Sequence, residues 1–297
     1  MTAASVTSTV SIVMPSYKNA HLIGRAIASV QAQTFTDWEL IIVDNHSDDG
    51  TQALVEGLED PRIRFELIHN QGIIARSRNR GIELAQGAWI ALLDSDDWWV
   101  PAKLQTALDA ASMSRADITY HNLFLVTRPK QTRGFRWVRG RSLDLPAYDA
   151  LLSGGNVLAN SSVMIKRSTL QAIGPLSEDP DFLAWEDFDL WLRAARDGAV
   201  FCHIAEVLGY YWAAGGNTSN PKRTLLTLEA MITHYYLPEG REVPFWVVLA
   251  QAMAHLRIGQ FDTALSRLNE AMLRQPKGRH ALKCRAAQIY CKVRQVF

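Results

Sequence analysis

The chain has 297 residues, with 31 Lys and Arg against 30 Asp and Glu and a hydrophobic fraction of 48%. This length predicts two domains, or one large domain with an appendage, and the net charge of +1 gives no whole-molecule field that would attract nucleic acid. The composition is typical of globular proteins and excludes a disordered or collagen-like chain.

The cysteines and the first residues favour a cytoplasmic protein. Cys202, Cys284 and Cys291 form no C-x-x-C pair and no cluster at zinc-ligand spacing, which fits a reducing compartment. Residues 1–10 lack the basic start and the long apolar core of a secretory signal. No stretch approaches the ~18 uninterrupted apolar residues of a membrane span. We therefore expect a cytoplasmic location.

Strands and helices alternate along the first hundred residues. Residues 9–14 are β-branched and apolar and stop at Pro15, which predicts a buried strand, and residues 20–33 carry an apolar stripe at helical spacing. The alternation continues as strand, helix, strand, helix and strand at residues 38–43, 51–59, 63–68, 70–87 and 88–94. This order predicts an α/β fold with a parallel sheet and helices on both faces.

Polar residues collect where three of these strands end. Residues 15–17 (PSY) follow the first strand, Asp44 ends the second, and residues 94–97 (DSDD) end the fourth. Open parallel sheets bind ligands in the crevice beyond these strand ends. Because Asp, Asn and Ser also favour ordinary turns, turn chemistry remains the alternative for each single loop.

The segment LLDSDDWW places three carboxylates within four residues, those of Asp94, Asp96 and Asp97. Like charges this close repel one another, and a divalent cation relieves the repulsion. Mg²⁺ or Mn²⁺ takes carboxylate oxygens together with the phosphate oxygens of a substrate. The segment therefore indicates a metal-bridged nucleotide diphosphate. Capping of a helix that begins near Pro101 is the alternative.

Five segments occur in an order and spacing that resembles glycosyltransferase family 2: VSIVMPSYKNA, WELIIVDNHSDDGT, NQGIIARSRNRGI, AWIALLDSDDWWVPAKL and AWEDFDLWLRAARDG. The resemblance spans residues 10 to about 219. It implies a GT-A fold, which is a Rossmann-like, mostly parallel sheet with helices on both faces. It also implies a metal-dependent, inverting transfer of a sugar from a nucleotide diphosphate sugar, with UDP as the expected nucleotide, to an acceptor hydroxyl.

The resemblance also implies roles for particular residues. Glu186 and Asp187 resemble the acidic pair near the acceptor, in which Asp187 would be the general base. The implied ligands of Mn²⁺ or Mg²⁺ are Asp94, Asp96 and Asp97. The residues implied to contact the nucleotide sugar are Pro15, Ser16, Tyr17, Asp44, Arg78, Asp94 and Ser95. The implied setting is the synthesis of a bacterial polysaccharide or a lipid-linked oligosaccharide, with a glycan or lipid-linked acceptor.

The chemistry gives the two acid groups separate tasks. Displacement at an anomeric carbon needs a base on one face and a stabilised leaving group on the other. Asp187 would take the proton of the acceptor hydroxyl, while the metal and Arg78 would neutralise the departing diphosphate. The alternatives are that Glu186 and Asp187 only begin a helix and that Arg78 belongs to a solvated helix face.

One segment departs from the family pattern. Trp212 and Ala214 stand where the family commonly has an arginine and a histidine, so another group, such as the loop at residues 217–219, would have to replace them. This departure keeps open a non-catalytic scaffold whose transferase domain has decayed. A sugar nucleotidyltransferase is a weaker alternative, because the sequence has no Gly-rich phosphate loop near its start.

The last third of the chain reads as helical. We expect a catalytic domain at residues 1–220 and a helical appendage at 221–297. Within the appendage, residues 245–276 resemble one tetratricopeptide repeat, although an ordinary helical hairpin fits equally well. The tail at 277–297 has no acid and alternates basic with apolar residues, which suits an anionic membrane surface as well as a solvated helix. A peripheral position at the inner face of the cell membrane is therefore also expected.

Overall fold

The computed structural model describes residues 9–128, 131, 136–143, 146–214, 220–274, 276 and 278–296. The chain divides into two compact units, each with its own internal contacts. The first contains Met1–Tyr148, Asn156–Glu178 and Glu186–Gly216. The second contains Asp149–Gly155, Asp179–Trp185 and Asn217–Phe297. The expected catalytic and appendage roles of residues 1–220 and 221–297 stay predictions.

Nine strands of the described residues form one sheet in the first unit. They are β1 (Val10–Ser16), β2 (Trp38–Asp44), β3 (Ile63–Leu67), β4 (Trp89–Leu92), β5 (Trp98–Trp99), β6 (Ile118–Val126), β7 (Arg136–Val138), β8 (Met164–Lys166) and β9 (Phe201–Trp212). Their order is β3-β2-β1-β4-β8-β6-β9-β5, and β7 pairs with β6.

The first four strands all pair in parallel, as the alternation of strands and helices predicted. Residues of β1 and β2 are almost all fully buried, which suits strands covered by helices on both faces. The ends of β1 and β2 lie side by side, with Ser16 opposite Asp44. The predicted α/β fold class is confirmed, and the predicted polar strand ends meet at one edge of the sheet.

The first strand is longer than predicted, because Pro15 does not stop it. The carbonyl of Val13 accepts from the backbone N–H of Leu93 on the β4 side, whereas the carbonyl of Ser16 accepts from Asn45 on the β2 side. Alternation along the strand therefore turns the nitrogen of Pro15 toward the β4 side, past the last residue of β4. The missing N–H removes no hydrogen bond to β2.

Beyond β4 the sheet becomes mixed, which the sequence did not predict. β8 pairs antiparallel with β4 and β6, and β5 pairs antiparallel with β9. β6 and β9 pair in parallel. Strands of two or three residues carry too short a pattern for periodicity to reveal them. β5 matters for the site because it begins directly after Asp97.

The helices of the described residues follow in chain order. They are α1 (Ala20–Gln31), α2 (Thr51–Glu56), α3 (Ile74–Leu84), α4 (Lys103–Ser114), α5 (Ala147–Gly154), α6 (Arg167–Ile173), α7 (Glu186–Arg196), α8 (Pro221–Met231), α9 (Phe245–Arg257), α10 (Phe261–Leu273) and α11 (Arg279–Val296). A π-helical turn, Ile232–Tyr236, continues α8. None of these helices is long and apolar enough to cross a membrane.

The second unit has a small core of its own, built from α9, α10 and α11. The helical hairpin expected at residues 245–276 is present, with α9 packed on α10 across a short turn in which Gly259 has a φ of 79°. The buried side chains of this core are Leu249, Ala252, Ala264, Leu268, Cys284, Ala287 and Cys291. Two of the three cysteines therefore act as small apolar core residues, and all three are free thiols.

Candidate active site

Asp94 is fixed by three neighbours at the end of β4. Its Oδ1 atom accepts a hydrogen bond from Arg78 Nη2 at 2.7 Å and another from Asn160 Nδ2 at 3.1 Å. Its backbone N–H donates to the hydroxyl of Ser161 at 3.0 Å. Asp94 is therefore held in one orientation before any ligand binds.

Asp96 and Asp97 lie in the same loop and carry raised pKa values. Burial and the charge of Asp94 raise the pKa of Asp96 to about 7. Burial and the charges of Asp96 and Asp94 raise the pKa of Asp97 well above its ordinary value. The Oδ1 atom of Asp97 accepts from the backbone N–H of Trp212 at 2.7 Å, while its Oδ2 atom is buried with no hydrogen-bond partner among the described residues.

Helix capping does not explain this loop. α4 begins at Lys103, its N-cap position is Ala102, and no side chain caps it. Asp97 lies well before that position, beside β5, so the short strand separates the acids from the helix. The capping alternative for Asp96 and Asp97 is therefore wrong.

Arg78 joins this loop to the second predicted acid group. Its side chain is 5% exposed, and its Nη1 atom lies 2.5 Å from Glu186 Oε1 while Nη2 bonds Asp94. Although burial alone would lower the pKa of Arg78, the carboxylates of Asp94 and Glu186 raise it. One buried guanidinium thus holds the two acid groups together. The contact of Arg78 with a nucleotide stays a prediction.

Neighbouring arginines on α3 behave differently from Arg78. Arg76 pairs with Glu178 and Arg80 pairs with Glu66, and both side chains are about a third exposed. The solvated-face interpretation therefore fits Arg76 and Arg80 but not Arg78.

Glu186 and Asp187 form the first turn of α7, as the helix-start alternative requires. Asp187 Oδ1 accepts from the backbone N–H of Phe188 at 2.7 Å, and Asn156 Nδ2 lies 3.5 Å from Oδ2. Burial and the charge of Glu186 raise the pKa of Asp187 to about 7, against the opposing charge of Arg78. A carboxylate poised near neutral pH is suited to accept a proton.

At the ends of β1 and β2, the Asp44 carboxylate is already hydrogen-bonded while the Tyr17 side chain is exposed. Both carboxylate oxygens of Asp44 accept from Ser47, one from its backbone N–H at 2.7 Å and one from its hydroxyl at 2.8 Å. Tyr17 is 55% exposed, and Ser16 is buried with a hydroxyl that has no hydrogen-bond partner in the described part of the chain. Contact of these residues with a base or ribose stays a prediction, as it does for Pro15.

Several site residues carry no motif in the sequence. Asn19 Nδ2 donates to the hydroxyl of Ser95 at 2.9 Å. This bond ties the start of α1 to residues 94–97, which we call the acid loop. Arg25 Nη2 donates to the backbone carbonyl of Asp96 at 2.9 Å, and its guanidinium lies 3.4 Å from the centroid of the Trp98 ring. Other residues missed from the sequence are Asn156, Asn160 and Ser161.

Arg25 also bears on the departure at Trp212. Its guanidinium lies 5.1 Å from the centroid of the Trp212 ring, so a tryptophan at this position faces a cation supplied by α1. Ala214 adds no polar group, and the loop at 217–219 lies outside the described residues. The position that lacks the expected arginine therefore has a guanidinium close by.

The acid loop fits a divalent cation shared with a substrate. No three His, Cys, Asp or Glu side chains within the described part of the chain form a ready metal cage. A Mg²⁺ ion that is also bound by phosphates needs only one or two carboxylates. Burial first, and the charges of neighbouring carboxylates second, raise the pKa values of Asp96 and Asp97, so a bound cation would favour their charged forms. The predicted metal set of Asp94, Asp96 and Asp97 stays a prediction.

Comparisons with known sequences point to one family. The family described as "Glycosyl transferase family 2" matches residues 11–172. The chain is 39% identical over 271 residues to the succinoglycan biosynthesis protein ExoO of Rhizobium meliloti, covering 86% of this chain and 75% of ExoO. It is 31% identical over 191 residues to WfgD of Escherichia coli, covering 64% of this chain and 71% of WfgD. WfgD is a UDP-Glc:α-D-GlcNAc-diphosphoundecaprenol β-1,3-glucosyltransferase.

Solved structures share the fold at low sequence identity. Residues 1–349 of S. aureus TarS with UDP-GlcNAc match with a TM-score of 0.62 and 15% identity, covering 95% of this chain and 89% of that one. The mannosyltransferase PcManGT of Pyrobaculum calidifontis with GDP-Man and Mn²⁺ matches with a TM-score of 0.57 and 18% identity. That match covers 97% of this chain and 86% of PcManGT.

Proposed function

The chain belongs to glycosyltransferase family 2, and on this premise we propose that it transfers a sugar from a UDP-sugar to a lipid-linked acceptor in bacterial polysaccharide synthesis, with inversion at the anomeric carbon. ExoO, a succinoglycan biosynthesis protein, supports the polysaccharide setting, and the GlcNAc-diphosphoundecaprenol acceptor of WfgD supports a lipid carrier. The observation that carries the proposal is the pair of bonds from Arg78 to Asp94 and Glu186, because it brings both acid groups to one place.

Asp187 is the proposed base. Its carboxylate follows Glu186 at the start of α7, and burial raises its pKa toward the range in which a base works at neutral pH. Arg78 opposes that shift, so Asp187 can still lose its proton near pH 7. Asp187 would take the proton of the acceptor hydroxyl as the oxygen attacks the anomeric carbon. Glu186 would position Arg78 and thereby the acid loop.

The acid loop is the proposed donor side of the site. Asp96 and Asp94 would hold Mn²⁺ or Mg²⁺, and the bound ion would stabilise negative charge on the leaving diphosphate. Asn19 fixes Ser95, and Arg25 fixes the main chain at Asp96, so the loop is ordered from the α1 side. The proposed nucleotide contacts are Pro15, Ser16, Tyr17, Asp44, Arg78, Asp94 and Ser95. Asp97 would complete the metal set, with its Oδ1 held by the Trp212 N–H and its Oδ2 without a hydrogen-bond partner among the described residues.

A thermal-shift screen tests the donor side. A ligand that binds only the folded chain stabilises it by about 2.7 kcal/mol at 100 times its Kd. We expect UDP-sugars to raise the melting temperature in the presence of Mn²⁺ and to raise it less without the ion. Asp96→Ala should lose the Mn²⁺-dependent part, while Asp109→Ala, at an exposed position on α4, should keep it. An unaltered Mn²⁺ dependence in Asp96→Ala would remove Asp96 from the site.

The pH profile tests the base. Only deprotonated Asp187 can accept a proton, and its pKa is raised to about 7. We therefore expect kcat at saturating donor to fall about tenfold for each pH unit below this value and to level off above it. An acidic limb near pH 4 would mean that the titrating carboxyl has an ordinary pKa and would contradict the assignment.

A lipid-linked acceptor would place the reaction at a membrane surface. We therefore extend the proposal to a cytoplasmic protein that attaches peripherally to the inner face of the cell membrane. In this scheme the first unit carries the transfer reaction, and the helices of the second unit provide the attachment.

A further inference from the structure

One face of α11 (Arg279–Val296) is occupied by the core of the second unit. Cys284, Ala287 and Cys291 are buried there against residues of α9 and α10. These three positions lie within about 60° of one another around the helix axis, at 3.6 residues per turn. The buried contacts of α11 with the hairpin therefore centre on a narrow strip. At its flanks His280, Gln288 and Tyr290 also contact Phe245, Asn269 and Phe261.

The opposite face of α11 is apolar and exposed. Leu282 is 69% exposed, Ile289 64% and Val293 50%, and Ala286 between them is also exposed. At 3.6 residues per turn these four side chains fall within about 60° of arc, so they form one continuous stripe along the helix. Tyr290, 48% exposed, lies at its margin. We call Leu282, Ala286, Ile289 and Val293 the apolar stripe.

Cations flank the apolar stripe on both sides. Lys283 lies about 90° from its centre in one direction, and Arg285 and Lys292 lie about 70° to 90° away in the other. All three are exposed, and none has an acidic partner in the part of the chain that the structure describes. The sequence has no Asp or Glu after Glu270. Helix α11 therefore presents an apolar strip with one cation on one side and two on the other, none of them paired with an acid among the described residues.

We propose that the apolar stripe of α11 and its flanking cations dock on the surface of an anionic lipid bilayer. The apolar side chains would enter the boundary between headgroups and acyl chains, and the Lys and Arg side chains would reach the lipid phosphates. Each cation near such a surface strengthens binding about fivefold. This proposal rests on the proposed function, because a lipid-linked acceptor is what gives the attachment its purpose.

A second copy of the chain is a poorer occupant of the same face. Pairing two apolar stripes about a two-fold axis would bring Lys283, Arg285 and Lys292 of one copy close to the same cations of the other. With no carboxylate on α11 to compensate, these like charges would repel as the stripes approached. An anionic surface turns the same charges into attraction.

Vesicle flotation of the full chain, without nucleotide or acceptor, tests the docking. We expect the wild type to float with vesicles of phosphatidylcholine containing phosphatidylglycerol and to stay unbound with phosphatidylcholine alone. Lys283→Gln combined with Lys292→Gln should lower the partition coefficient about 30-fold at low salt. Ile289→Ser combined with Val293→Ser should lower it at least tenfold. Because all four positions are exposed, these variants should keep the wild-type melting temperature.

Matched controls lie at the end of α4 in the first unit, with Met113 in its last turn and Arg115 directly after its last residue. Met113→Ser removes an exposed apolar side chain, and Arg115→Gln removes an exposed cation, so both should float like the wild type. Equal flotation of all variants, or equal binding to neutral and anionic vesicles, would overturn the proposal. A drop in solution mass by light scattering in Ile289→Ser with Val293→Ser, without lipid, would overturn it in favour of a dimer.

Flotation and transfer fail independently. If the variants float normally while the wild type transfers sugar to a water-soluble acceptor, the docking face is wrong and the proposed function stands. If the wild type floats but turns over no sugar nucleotide, the docking face stands and the proposed function fails.

Discussion

Replacing Asp187 with Asn is expected to lower kcat by about 10² to 10⁴ while the Kd for the nucleotide sugar changes less than twofold. The amide cannot take a proton from the acceptor hydroxyl, but it keeps the size of the carboxylate. The amide also keeps an oxygen that can accept from the Phe188 N–H. Turnover is measured with a UDP-sugar and a sugar-diphosphate-polyprenyl acceptor, whose sugar supplies the attacking hydroxyl, and donor affinity is measured by calorimetry.

Asp197→Asn is the matched control for this variant. Asp197 is exposed just beyond the other end of α7, so the same chemical change there should leave both kcat and Kd unaltered. Equal losses of turnover and donor affinity in Asp187→Asn would place Asp187 on the donor side and would reject its role as the base.

Replacing Arg78 with Met is expected to lower the free energy of unfolding by about 3–5 kcal/mol and to abolish transfer. The side chain is 5% exposed and bonds Asp94 at 2.7 Å and Glu186 at 2.5 Å, so its loss leaves two carboxylates facing each other without a cation. Urea unfolding measures the first effect and a turnover assay the second. Arg78→Lys restores the charge but not the forked geometry, so it should recover stability better than transfer.

Arg80→Met is the control, because Arg80 lies on the same helix but pairs with Glu66 and Glu83 at an exposed position. Exposed pairs contribute about 0–1 kcal/mol. If Arg78→Met does not accumulate as folded protein, Arg78→Met with Glu186→Gln removes one of the two facing charges and should fold better. Stability losses of the same size in Arg78→Met and Arg80→Met would contradict the prediction, because the ion pairs of Arg78 with Asp94 and Glu186 would then stabilise the fold no more than an exposed pair does.

The sequence predicted most of the strand ends that carry the site and both acidic segments, residues 94–97 and 186–187. Alternating apolar strands and helical stripes located β1 to β4, and the polar residues at their ends located Asp44 and Asp94. These signals are local, so one sequence contains them in full. The end of β1 was predicted wrongly, because a proline was expected to break the strand. The nitrogen of Pro15 faces the side where β4 has already ended, so the strand continues to Ser16.

The links between these parts could not be predicted. Arg78 and Glu186 are 108 residues apart in the chain, and no pattern in either segment indicates that the two side chains are in contact. Arg25 looked like one polar position of an amphipathic helix, and only the packing of α1 beside β5 places it on the Trp98 ring. In α11, the basic and apolar composition was plain from the sequence. Which apolar residues face the core, and which form the exposed stripe, depends on how α10 packs on α11.

The anomeric configuration of the product shows whether the sugar is transferred with inversion. If attack occurs opposite the diphosphate, with Asp187 as the base, an α-configured UDP-sugar must give a β-linked product in a single displacement. Proton NMR of the purified product reads this configuration from the coupling constant of the anomeric proton. We expect the β linkage from the first turnover onward, and an α-linked product would rule out a single displacement with Asp187 as the base.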